Sequence, residues 1–338
     1  MKKLVAVFLM LVMCLMTISA LGDGVYAGQR VRVVIGSGST SGDTYLATET
    51  VCRYLAKYLN ADIKVDAVGA SAAFDTMKKA APDGLTIMGF HDQTYLSVLF
   101  GTYDESYDLD SYVIGPRYAQ NPASAFMARY DAPYNDLKEM AEYMKANPDQ
   151  VVRVAIEDGA VSHVCFAAIY AWVVEAYGED VANQFRVVLS GSTSDKLEKV
   201  WGNIIDLPFL DYNSRQYCGE EVDATMRLKF VAVLEDIPGV EEKLPYAYEC
   251  GVTLGDSPLH FSKDFVFYLP SGTPQNVLDE LDAAMAKVNE DPEFKADMDK
   301  LFYVCNFLPS KDAAEYIYNK RDTLKVIIDS MPSLDDLM

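Results

Sequence analysis

The feature that most constrains this chain is a pattern repeated along it: a short β-rich run, a loop of glycine and hydroxyl residues, then a helical run. Its clearest copy is VRVVIGSGSTSGD at residues 31–43, where Val31, Val33, Val34 and Ile35 stop abruptly at a Gly/Ser loop. The pattern continues with a strand over 63–68, a small-residue turn at Gly69 and Ala70 into a helix through Met77, and a strand over 85–90. Strands alternating with helices in this order imply a parallel sheet covered by helices on its faces. Ligands of such sheets sit beyond the carboxyl ends of the strands, where these loops must lie. The first N–H groups of a helix have no partner inside it, so a Gly/Ser loop entering a helix forms an anion cradle.

The same architecture returns in the second half. Residues 112–115 lead through Pro116 into strands over 151–156 and 185–189, each followed by a small, hydroxyl-rich loop at 158–163 and 190–194. Two similar lobes predict a cleft between them. A β-rich run over 261–269 can carry the chain back to the first lobe, and no low-complexity linker is present, which favours lobes joined by crossing strands. Thr273 before Pro274 reads as a helix cap, and Ser310 as the cap of a last helix through Ile328. At 338 residues, half of them apolar, the chain is large enough for two cores. The expected organisation is a signal peptide at 1–27, lobe 1 at 28–114 plus 260–338, and lobe 2 at 115–259.

Lys2 and Lys3 followed by an apolar run over 4–18 read as a secretory signal, with Val25-Tyr26-Ala27 supplying a small-residue cleavage site after Ala27. An uncleaved membrane anchor is the other reading of the same run. The mature chain then keeps Cys52, Cys165, Cys218, Cys250 and Cys305, an odd set without metal-site spacing in which Cys218 and Cys250 could pair. A formal charge of −21 excludes nucleic acid and anionic membrane surfaces as partners.

No catalytic constellation is visible. The first loop has the spacing GxGxxxG rather than a dinucleotide fingerprint, and an exported chain meets little free nucleotide, so no cofactor is expected. Gly38-Ser39-Thr40-Ser41-Gly42 carries Thr where a nucleophile elbow needs Ser. His91, His163 and His260 have no partner at metal spacing, so no metal is expected either. What remains is recognition of an anion by N–H and hydroxyl donors, with no fixed positive charge in the loops. The candidate ligand-binding residues are Ser37, Ser39, Thr40, Ser41 and Asp43 in the first loop and Gly159, Ala160, Val161, Ser162 and His163 in the second. Ser190 and His91, each just after a strand, complete the set.

Several segments, in order, resemble one family. Residues 80–87 (AAPDGLTI) look like its APDGYTL segment, and Gly159-Ala160-Val161-Ser162-His163 like its GTPSH loop. Residues 234–238 followed by 249–251 are similar to its LPDVPT and EAG run, 269–274 to its APAGTP, and 289–293 to its helix break with DPE. The chain thus resembles the Bug or TctC-type substrate-binding proteins of tripartite tricarboxylate transporters. The resemblance implies an α/β, two-lobed periplasmic-binding-protein (type II, Venus-flytrap) fold, each lobe a mainly parallel sheet flanked by helices. It implies an exported, periplasmic or cell-surface monomer without enzymatic activity, which delivers a small di-, tri- or aromatic carboxylate to membrane permease subunits. A sensory receptor module that signals without transport is the alternative. In the family, the first loop and the GTPSH loop close like pincers on one carboxylate. The chain departs from it where Asp43 is displaced by about one position and Val161 replaces Pro. The family's VPYKG reads Val188-Leu189-Ser190-Gly191 here, without the aromatic and the Lys.

Overall fold

The computed structural model describes residues 24–329. Two five-stranded sheets, each with helices on its faces, make two lobes. In the first, β1 (Arg30–Ile35) lies between the parallel strands β2 (Asp62–Ala67) and β3 (Thr86–Phe90). Its β-branched side chains Val31, Val33, Val34 and Ile35 are all buried, as a central strand covered on both faces requires. α1 (Asp43–Leu59) covers one face through Ala47, Val51 and Leu55. It stops where Asn60 turns left-handed at φ 51°, the expected terminator. α2 (Ala70–Lys79) packs Phe74 and Met77 on the other side of the sheet, and α3 (Gln93–Leu99) follows β3.

The second lobe repeats this plan. β6 (Val152–Ile156) lies between the parallel strands β7 (Phe185–Leu189) and β8 (Leu207–Asp211). α4 (Leu137–Ala146) precedes β6, and α5 (Val161–Tyr177), α6 (Glu179–Ala182) and α7 (Thr193–Trp201) fill the connections. The remaining strands tie the lobes together. β4 (Tyr112–Asn121) is an outer strand of the first sheet, and three residues later β5 (Ser124–Arg129) is antiparallel to β8 and to β9 (Leu228–Val233) in the second. The chain returns past the small hairpin of β10 (Thr253–Leu254) and β11 (Ser257–Pro258) into β12 (Lys263–Pro270), antiparallel to both β3 and β4. β12 is buried along its whole length.

The strand orders β2-β1-β3-β12-β4 and β7-β6-β8-β5-β9 are equivalent, so each sheet is parallel on one side and takes an antiparallel strand from a lobe crossing. The expected division at residue 115 falls inside β4, which pairs with β12 from Tyr112 to Asn121 despite Pro116. The first crossing therefore lies at 122–123. Helices α8 (Gln275–Glu290), α9 (Pro292–Lys300) and α10 (Ser310–Ile328) close the first lobe. Two expected caps are used otherwise. Thr273 Oγ1 donates back to Pro270 O at 2.7 Å, and Ser310 donates its N–H and hydroxyl to the Asp282 carboxylate. The five cysteines among the described residues are free, Cys218 and Cys250 included.

Residues 1–23 of the expected signal peptide lie outside the described residues, and no described helix is long and apolar enough to cross a membrane. Residues 24–27 belong to the first lobe. Tyr26 is fully buried in its core, and Glu280 accepts the N–H groups of Val25 at 2.5 Å and Tyr26 at 3.3 Å. Gly84, at φ +83°, lets the ring approach: a Cβ there would stand 3.0 Å from the Tyr26 hydroxyl. A cut after Ala27 would strip a large aromatic from the core, a loss of several kcal/mol of burial at ~25 cal/mol per Å². If a leader is removed from this chain, the intact mass of the product is therefore expected to include Tyr26, with the cut ahead of Val25. A chain beginning at Gly28 would contradict this.

Candidate functional site

The carboxyl ends of β1, β3, β6 and β8 converge on a cavity of about 180 Å³ between the lobes. From the first lobe come Ser37, Ser39 and Asp43, entering α1. Gly36 is required there, since a Cβ would stand 2.2 Å from the Phe90 ring. The loop braces itself: Ser39 N–H donates to Ser37 Oγ at 3.1 Å, and Ser41 N–H to Ser39 Oγ at 3.2 Å. The hydroxyls that read as ligand donors are thus partly engaged as turn acceptors.

From the second lobe come Glu157, the segment Ala160-Val161-Ser162 at the start of α5, and Gly191 to Thr193 at the start of α7. Ser162 Oγ accepts the Glu157 N–H at 2.9 Å and holds the second loop in shape. This loop is clamped onto the first lobe. Gln93 Nε2 donates to Glu157 Oε1 at 2.7 Å, Thr102 Oγ1 to Asp158 at 3.0 Å, and Ser97 Oγ to Gly159 O at 3.3 Å. The His163 ring stacks on Phe100 at 3.9 Å. Gly159 adopts φ +66°, and a Cβ would meet Thr102 Oγ1 at 2.6 Å and Ser97 Cα at 2.9 Å. Gly159→Ala is therefore expected to cost about 1–3 kcal/mol in denaturant unfolding, from left-handed strain plus the clash.

Five ionisable side chains and His91 face the cavity. Lys263, at the start of β12, is ion-paired with Asp43. Burial opposes the Asp43 charge, but Lys263 and neutralising hydrogen bonds hold its carboxyl below the usual carboxylate range. Burial and the Lys263 charge push the His91 imidazole down to about 4, so it is neutral at pH 7. Lys196, on the buried side of α7, is different. It is 7% exposed, its Nζ has no hydrogen bond or ion pair among the described residues, and burial lowers it to about 8. Its Nζ lies over the face of Phe209, 5.6 Å from the ring centroid. Burial and Asp43 push Asp211 up to about 6, and burial also raises Glu157.

No protein-family model matches the sequence, and no curated protein matches it. The folded chain is similar to the periplasmic binding protein BugD, at 20% identity and a TM-score of 0.71 over 90% of this chain and 97% of that one. It is similar to MatC from Rhodopseudomonas palustris, solved with bound malate, at 19% identity and a TM-score of 0.69 over 88% of this chain and 99% of that one. A second R. palustris protein, solved with adipate, aligns at 14% identity and a TM-score of 0.69 over 88% of this chain and 98% of that one. The chain has the periplasmic-binding-protein fold.

In this periplasmic-binding-protein fold the interlobe cavity brings together seven of the candidates: Ser37, Ser39, Asp43, His91, Ala160, Val161 and Ser162. It leaves out Thr40, which is exposed, and Ser41, which lines a smaller neighbouring cavity. It also leaves out Gly159 and His163, which make lobe contacts, and Ser190, whose hydroxyl is turned to Asp195. Sequence reasoning missed Lys196, Lys263, Glu157 and Asp211. Two lysines outside the Gly/Ser loops, Lys196 on α7 and Lys263 on β12, bring positive charge to the same cavity. Glu157 and Asp211 were legible only as residues at strand ends. Lys196 carried no signal, because between Asp195 and Leu197 it looks like any lysine on a solvated helix.

Proposed function

We propose that this chain is an exported solute-binding receptor of the Bug/TctC type, which captures a small organic carboxylate in the interlobe cleft and hands it to a membrane permease. The observation that carries this reading is Lys196: a buried ammonium without a hydrogen bond or ion pair among the described residues, in a cavity built from Gly/Ser loops of both lobes. The nearby Glu157 charge offsets the burial of this cation only in part, and an anionic ligand reduces the remaining cost. The malate and adipate bound by two proteins of the same fold are carboxylates, which agrees with this chemistry. Ligand contacts to both loops, added to the lobe contacts of Gln93, Ser97 and Thr102, favour the closed form, and closure is the signal a permease reads.

Thermal unfolding in the presence of mono-, di-, tricarboxylic, aromatic and amino acids tests the reading. A ligand at a hundred times its Kd adds about 2.7 kcal/mol to the folded state, so a true ligand raises the Tm. A panel in which no acid raises it would overturn the proposal. The pH dependence carries a sign. With the Lys196 ammonium at about 8, raising pH through that value discharges it. Affinity is then expected to be about tenfold weaker at pH 9 than at pH 7, measured by calorimetry.

A further inference from the structure

The charges facing the cavity do not balance for a simple acid. Asp43 and Lys263 satisfy each other as an ion pair. That leaves one cation, Lys196, and two carboxylates, Glu157 and Asp211. The carboxylates come from the ends of neighbouring parallel strands, β6 and β8, which lie ~5 Å apart. Each is served only by neutral donors: Gln93 Nε2 for Glu157, and the Asn121 side-chain amide with the Asn213 N–H and amide for Asp211. Burial raises both acids and lowers Lys196, and the charges of Lys196 on Glu157 and of Lys263 on Asp211 offset this only in part; three carboxylates face two lysines, so one acid is left over.

A purely anionic acid would satisfy Lys196 while adding negative charge beside two buried carboxylates. A molecule with one carboxylate and one ammonium would satisfy all three groups. Resting on the solute-binding reading, we propose that the ligand is an amino-bearing carboxylate, its carboxylate held by Lys196 and the Gly/Ser loops and its ammonium by Glu157 and Asp211. The two acids then select the amine, and the loops select the acid.

The test compares matched pairs that differ only in the amine: aspartate with succinate, glutamate with glutarate, alanine with propionate, phenylalanine with 3-phenylpropionate. Calorimetry on the wild-type chain is expected to find, in the best-bound pair, the amino member at least about tenfold tighter. Glu157→Gln and Asp211→Asn should each reduce that preference to about threefold or less, with cooperative unfolding retained. Equal or tighter binding of the amine-free member would overturn the ligand class while leaving the carboxylate-receptor reading standing. If neither member of any pair raises the Tm, both readings fall together.

Discussion

Lys196→Met is expected to weaken ligand binding by about 2–5 kcal/mol, a factor of roughly thirty to several thousand, without harming the fold. Methionine has nearly the same length and flexibility and fills the space beside Phe209 with a thioether instead of a charge. In the empty protein the change removes a buried cation that has no ion pair among the described residues and whose burial outweighs the nearby Glu157 charge, so the Tm should hold or rise. In the complex it removes the charge that faces the ligand carboxylate. Opposite movements of stability and affinity separate a ligand-facing role from a structural one. Calorimetry that returns wild-type affinity for a ligand identified by thermal shift would remove Lys196 from the site.

The second large effect concerns the joint between the lobes. Asp264, on β12, is fully buried and accepts from Arg117 Nη1 at 2.8 Å, Gln120 Nε2 at 2.8 Å and Lys320 Nζ at 2.5 Å. Its own N–H donates to Asp92 at 2.8 Å, and Lys320 also pairs with Asp92 at 2.5 Å. One network thus joins β4, β12, α10 and the turn that carries His91 into the cavity. Asp264→Ala leaves Arg117 buried without its counter-ion and is expected to cost about 3–5 kcal/mol in denaturant unfolding. The loss should appear as a lower midpoint with an unchanged m-value, because the exposed area on unfolding is the same. A cost under about 0.5 kcal/mol, ordinary for a surface site, would show the network to be dispensable.

Loops and strands were easier to read than charges. The Gly/Ser loop after β1 announced itself, since a β-branched run, a glycine loop and a helix leave few ways to satisfy the backbone. The equivalence of the lobes followed from the same pattern at 151–163 and 185–194. What sequence reasoning misjudged was which side chains those loops show to the cavity. Ser41 and Thr40 satisfy every composition rule for a donor loop, yet the chain of turns running from Ser37 through Ser39 points the useful groups elsewhere. His163 keeps its place in the second loop but stacks on Phe100, a residue of the other lobe.

Local order was thus decided by neighbours in the chain: parallel β/α units, helix ends such as Asn60, and the positions where loops meet helix starts. Those depend on hydrogen bonds and dihedral preferences spanning a few residues, which the sequence displays directly. The charge state of the site was decided by the packing of one lobe against the other. Lys196 and Lys263, 67 positions apart, meet the same Phe209 ring, and Asp43 meets Lys263 across most of the chain. Burial sets how costly each charge is, and no run of residues encodes burial by a distant lobe. The chain itself specifies an anion cradle, and tertiary packing sets Lys196 and Lys263 beside it, which makes a carboxylate its expected occupant.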